Sequence, residues 1–195
     1  MTEKRASIGA RRNPETEAAV LDAATEILAE KGISGVTMEA VAKRARAGKA
    51  TLYRWWPTRG ALLMAVYRRR KQEICNPDTG TLEGDVKAVL ESLFVHWSRP
   101  EGRVFRHIIA ASQSDDDLRE ALEAYRMERL AHLGEIFERA AQRGVLSDDV
   151  PAQEMARAVM GMAWLHLLVG RLDADAAGIA RTLVRGWAKM PDQGD

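Results

Sequence analysis

The sequence predicts an all-α fold, and three observations predict it. Apolar residues recur at three- and four-residue intervals through nearly the whole chain, no useful run alternates with period two, and the breaks between stretches carry helix-end residues, with Asn, Thr or Asp before and Gly after. About nine helices are expected, a first group forming an N-terminal three-helix domain and the rest a C-terminal bundle. The 195 residues suffice for two such cores, and the 46% of apolar residues can bury enough surface to fold without cross-links.

Residues 1–13, "MTEKRASIGARRN", lack a pattern and carry Lys4, Arg5, Arg11 and Arg12, so a basic arm is expected there. Asn13 followed by Pro14 makes a helix entry, a capping residue and then proline in the first turn. The first helix buries Val20, Leu21, Ala24, Ile27 and Leu28 and ends at Gly32, where glycine takes a left-handed conformation at low cost. Thr37 caps a short second helix that buries Met38, Val41 and Ala42. A third, at about 48–55, faces Leu52 and Trp56 inward, and Thr58 caps a fourth that buries Leu62, Leu63 and Val66 and runs to about Cys75.

Two short helices joined by a tight turn under a longer first helix form a helix-turn-helix, here at about 37–56 within a domain spanning 14–75. With Leu52 and Trp56 inward, Lys49, Ala50, Thr51, Tyr53 and Arg54 face solvent, a set able to reach the base edges and phosphates of DNA. Charge agrees. Residues 1–75 hold 15 Lys and Arg against 8 Asp and Glu, a net +7, whereas residues 76–195 hold 14 against 20, a net −6. A basic first third suits a polyanion, and the acidic remainder does not.

The stretch "VTMEAVAKRARAGKATLYRWWPTRGAL", 36–62, resembles the DNA-binding segment of the TetR family of bacterial transcriptional regulators in its Thr-Leu-Tyr run, its aromatic pair and Leu62. The resemblance implies that Thr37 touches phosphate, that Lys49, Ala50 and Thr51 face bases, and that Tyr53 and Trp55 brace the DNA backbone. Arg59 stands where the family has a lysine aimed at phosphate. Arg46 replaces the usual turn glycine, which costs on the order of 1 kcal/mol if the turn stays left-handed, unless the arginine contacts DNA. Gly48 replaces a serine and caps more weakly.

From residue 81 to 190 the chain reads as a second domain. The fifth helix carries the stripe Val86, Val89, Leu90, Leu93, Phe94 and Trp97; a sixth follows Pro100 and buries Val104, Phe105, Ile108 and Ile109. Ser114 and Asp115 open a long seventh helix that closes at Gly144, Asp149 and Pro151 start an eighth, and Leu172 to Asp175 separate it from a ninth. The aspartates at 115–117 read as N-terminal charges of a helix, and "RRRK" at 68–71 as a solvated C-terminal face. Trp97, Phe105, His107, Tyr125, Met160 and Trp164 are candidates to line an apolar effector pocket, although as core residues they need no ligand. The eighth helix is apolar nearly all round from Ala158 to Val169, so it needs cover on two sides. A homodimer through the eighth and ninth helices supplies it, with Gly161, Leu165, Leu168, Ile179, Leu183, Gly186 and Trp187 at the interface, in line with the family's four-helix dimers.

One cysteine, Cys75, excludes an internal disulfide, and the longest apolar run, 158–170, is short of the ~18 residues a membrane span needs. With no secretion signal, a cytoplasmic protein is expected. No cofactor or metal is expected, and no phosphate loop or triad spacing supports an enzyme. The sequence therefore points to a DNA-binding regulator, a dimeric repressor released from a palindromic double-stranded operator by a small apolar or aromatic effector. The alternative is a small helical enzyme or ligand carrier whose basic domain is incidental.

Overall fold

The computed structural model describes residues 13–69, 76–146 and 151–186. Among them the chain is helical, in the order α1 (Pro14–Gly35), α2 (Met38–Arg44), α3 (Lys49–Trp55), α4 (Arg59–Arg69), α5 (Leu82–Trp97), α6 (Pro100–Ala111), α7 (Asp116–Gln142), α8 (Ala152–Val169) and α9 (Ala176–Arg185). The starts follow the capping residues. Asn13 accepts from the Glu15 amide, Thr37 from Ala40, Thr81 from Gly84 and Asp115 from Leu118, each satisfying an amide that the helix itself leaves unpaired.

One boundary differs from expectation. Gly32 does adopt a left-handed φ of 69°, but helical geometry resumes beyond it, so α1 carries a kink at Gly32 and runs on to Gly35. Leu28 and Val104, expected in the core, are half-buried. The predicted C-terminal part of α4 up to Cys75, the arm before Asn13, and Trp187 lie outside the described residues.

α1 packs on α2 and on α4, and α2 packs on α3. α7 is the spine of the second half, with α4 along one side and α8 along another, while α5 lies between α8 and α9. One buried core runs through both halves, from Val20, Val41 and Leu52 through Leu62 and Leu63 to Phe105, Phe137 and Leu167. α5 also buries an acid that its stripe did not reveal. Asp85 is fully buried, accepting from the Thr79 amide at 2.6 Å and the Thr79 hydroxyl at 2.8 Å, with Arg143 of α7 at 3.4 Å. A buried carboxylate is tolerated when its oxygens are this fully occupied, and here it ties the entry of α5 to the end of α7.

α4 meets α7 so closely that only glycine fits. A Cβ on Gly60 would lie 2.5 Å from the backbone oxygen of Asp117. Replacing Gly60 with alanine therefore forces two backbones apart, and Gly60→Ala is expected to lower the unfolding free energy by about 1–3 kcal/mol in urea titration.

Candidate nucleic-acid interface

α3 turns its apolar side to the core and its polar side outward. Leu52 and Trp56 are buried as the spacing requires. Trp55 joins them at 9% exposure, packed edge-on against Trp56 with ring centroids 5.8 Å apart. Its expected role bracing a DNA backbone is thus corrected: Trp55 lies three residues from Leu52 and shares its inward ridge. Outward remain Lys49, Ala50, Tyr53 at 45% exposure and Arg54, with Thr51 half-buried beside them. Lys49 reaches Glu39 of α2 at 3.4 Å, and both side chains are more than half exposed, so a phosphate can compete for that lysine at little cost.

The turn before α3 keeps its left-handed residue although glycine is absent. Arg46 has φ of 52°, and the turn closes with the Ala47 amide donating to Ala42 at 3.0 Å, the bond that ends a helix through a left-handed residue. The strain is therefore retained, and Arg46 is exposed in the turn that leads into α3. Gly48 stands at the N-cap of α3 in ordinary extended backbone and offers no side-chain cap. Thr37, the other expected phosphate contact, is exposed while its hydroxyl caps α2 at 3.1 Å.

Arg59 does not point to DNA. Its Nε donates to the Val36 carbonyl at 2.8 Å, one Nη to the Ile33 carbonyl at 2.6 Å and the other to Asp115 at 2.6 Å. The expected phosphate contact gives way because the end of α1 presents two carbonyls and the cap of α7 presents a carboxylate to one planar fork of donors. Arg59 is instead the strut between the two halves.

The proposed pocket residues are brought together, but as packing. Phe105 stacks on Tyr67 of α4 with centroids 4.5 Å apart and lies within 6.0 Å of Trp97, Tyr125 and Trp164. Trp97 donates to the Tyr67 hydroxyl at 3.2 Å. Burial pushes the Tyr67 and Tyr125 hydroxyls up, so both stay protonated at neutral pH. Trp97, Phe105, Tyr125, Met160 and Trp164 border a space of only about 10 Å³, room for about one water at most. They pack as an aromatic core here, with Trp97 also bordering an open groove beside α6. His107 is separate and faces a cleft of about 390 Å³ between α1, α4 and α6.

Two family models match the chain. Residues 20–66 match bacterial regulatory proteins of the tetR family, and residues 76–185 match the tetracyclin repressor-like C-terminal domain. The chain belongs to the TetR family of bacterial transcriptional regulators. It is 30% identical to the uncharacterized HTH-type transcriptional regulator YdeS of Bacillus subtilis, over 83% of this chain and 82% of that one. It is 26% identical to the HTH-type transcriptional repressor SCO4008 of Streptomyces coelicolor, over 94% and 100%. The crystal structure of the TetR family transcription regulator SCO0332 superposes with a TM-score of 0.70 at 31% identity, covering 91% of this chain and 100% of that chain.

As in other TetR-family chains, a helix-turn-helix leads a helical second half. There the candidate dimer residues divide by exposure. Leu165, Leu168 and Val169 of α8 are 53%, 49% and 58% exposed, and a Cβ on Gly161 would meet nothing within 4 Å. Ile179 and Leu183 are half-buried in a groove shared with Met162 and His166, and Gly186 ends α9. No described helix is long and apolar enough to cross a membrane.

Two outcomes follow from this geometry. Arg46→Gly is expected to raise the unfolding free energy by about 0.5–1 kcal/mol, because relief of the left-handed strain exceeds glycine's greater freedom when unfolded. Arg59→Ala is expected to lower it by about 1.5–3 kcal/mol while leaving the salt slope of DNA binding unchanged, since it removes charged hydrogen bonds but no phosphate contact. Denaturant titration and anisotropy at several salt concentrations check both.

Proposed function

We propose that the chain is a homodimeric repressor that binds a palindromic DNA operator through α3 and is released by a small-molecule effector. The observation that carries this reading is the division of α3, which commits Leu52, Trp55 and Trp56 to the core and leaves Lys49, Ala50, Tyr53 and Arg54 facing out with Arg46 nearby. Lysine and arginine serve phosphates or guanine edges, the tyrosine hydroxyl a phosphate oxygen, and Ala50 lets the helix lie close to the bases.

The exposed apolar face of α8 supports the dimer. Leucine and valine half-exposed beside an uncovered glycine suit close approach of a second copy, and a two-fold pair sets two recognition helices about 34–36 Å apart, one turn of DNA. The likeness to a named repressor supports the sign of regulation, and both family models speak against the enzyme or carrier reading. An effector acts on this arrangement by moving α4, the helix that belongs to both cores. To do so it must bind the DNA-incompetent arrangement more tightly; a coupling of about 1–3 kcal/mol weakens operator affinity about 5- to 150-fold.

The test is selection of duplexes from a random pool, followed by anisotropy titration of the best site. Half-sites about one helical turn apart are expected, with the slope of log affinity against log salt falling by about 1 for Lys49→Ala if that lysine meets a phosphate. The double variant Leu165→Glu/Leu168→Glu is expected to sediment as a monomer and to bind the full operator about 100-fold or more weakly, since two linked half-sites become one. Selection of no sequence, or unchanged affinity in that monomer, overturns the reading.

A further inference from the structure

The described arginines divide by whether they have a partner. Most are held by a carboxylate or a carbonyl, among them Arg44 by Glu30, Arg68 by Glu128, Arg69 by Asp22 and Arg143 by Asp85. Among the described residues no side-chain hydrogen bond or ion pair engages Arg46 and Arg54, in the turn before α3 and on α3, Arg99 at the N-cap of α6, Arg103 and Arg106 of α6, or Arg185 at the end of α9. The first pair has a polyanion to meet. The second set lies in the half of the chain that carries the net negative charge, where acids were available and were not placed opposite it.

Arg103 and Arg106, three residues apart, share one face of α6, and Arg99 stands at its N-cap. That face forms a wall of an open groove of about 800 Å³ that also holds Arg171, whose one acidic neighbour in the groove is Asp173 at 3.7 Å. Four arginines thus face one aspartate. Beside them lies the 390 Å³ cleft between α1, α4 and α6, walled by Leu28, Ile33, Val66 and Val104, with Tyr67, Glu101, Arg103 and His107 as its charged or titratable groups. The groove and the cleft meet: Pro100 and Arg103 line both.

We propose that cleft and groove form one binding site for an amphiphilic anion, a small molecule whose apolar body lies between α1, α4 and α6 and whose carboxylate or phosphate head is held by Arg103 and Arg106. The volume of the cleft falls within the range of small-molecule pockets, and the guanidinium fork matches the oxygen geometry of either head group. Arg106 is half-buried, with a guanidinium nitrogen beside Gly170 of the α8–α9 turn at the edge of the groove. A nucleic-acid backbone would use the arginines and leave the apolar cleft unfilled, so the pair of features selects an amphiphile. This site borders the aromatic core around Phe105, since Tyr67 lines the cleft and Trp97 the groove. Its regulatory consequence rests on the repressor reading: an occupant touching α1 and α6 at once biases the setting of the DNA-binding half against the second half.

Calorimetric titration of the full chain with decanoate and decyl phosphate, below their micellar concentrations, tests the site, with decanol and decyltrimethylammonium as uncharged and cationic counterparts. At least one anion is expected to bind about 10-fold or more tightly than decanol. The double variant Arg103→Gln/Arg106→Gln, both at non-core positions, is expected to remove that preference and leave decanol binding as it was, and Val104→Trp to weaken every probe by filling the cleft. The relative affinities of the two anions identify the head group. The proposal is overturned if neither anion binds, if the ammonium binds as well as the anions, or if the preference survives the double variant. It is also overturned if that variant weakens operator binding without any probe, since the arginines would then be DNA contacts. Operator affinity measured on the same preparation keeps the two readings apart: probe binding without operator binding retains the site and rejects the repressor.

Discussion

The guanidinium of Arg59 fixes where the DNA-binding half sits. Three donors on one rigid plane engage two carbonyls at the end of α1 and the carboxylate that caps α7, so three segments far apart in sequence meet at one group. The contact beside it is equally restrictive, since Gly60 brings the backbones of α4 and α7 together with no side chain between them. The start of α4 cannot slide or tilt against α7 without breaking charged hydrogen bonds, and the end of α1, held by the same guanidinium, carries α2 and with it α3. The direction of the recognition surface is therefore inherited from α7.

The other end of α4 is held by different chemistry. Tyr67 stacks on Phe105 and accepts from Trp97, placing α4 inside an aromatic core built by α5, α6, α7 and α8. Edge and stacked aromatic contacts are individually modest, about 0.5–1.5 kcal/mol beyond area burial, but several converge on one ring. α4 is thus anchored by ionic hydrogen bonds at its start and by aromatic packing further on. Between the anchors its flank faces the cleft shared with α1 and α6 through Val66 and Tyr67. A helix held firmly at two points and loosely along one side transmits a push on that side to both ends.

Helix number, order and most starts were legible because each rests on local chemistry: Asn13, Thr37 and Asp115 cap where their sequence context says they should, and the apolar spacing of α5 fixed its buried face. What was not legible depended on distance or on volume. Arg59 reads as a surface cation because its acidic partner lies 56 residues further on. Trp55 and Trp56 are adjacent and both aromatic; the spacing from Leu52 allows either to face inward, and only the extended backbone at Trp56 lets both do so. The aromatic set of the second half was identified residue by residue, yet periodicity cannot distinguish a ring that walls a cavity from one that fills it. Asp85 stands in the first turn of α5, where an exposed acid is ordinary, and only the loop folding back at Thr79 shows why it can be buried.

Asp115 serves two structures at once, accepting the Leu118 amide as the cap of α7 and the Arg59 guanidinium as the joint between the halves. The two uses are energetically linked, because a carboxylate held in place by the arginine is pre-positioned for the amide, and one that is released is not. Opening of the joint and fraying of the first turn of α7 are then one event, and the rate at which the Leu118 amide trades its hydrogen for deuterium is a clock for it. A single backbone position, more than fifty residues from the recognition helix in sequence, thus reports how often the two halves of the molecule let go of each other.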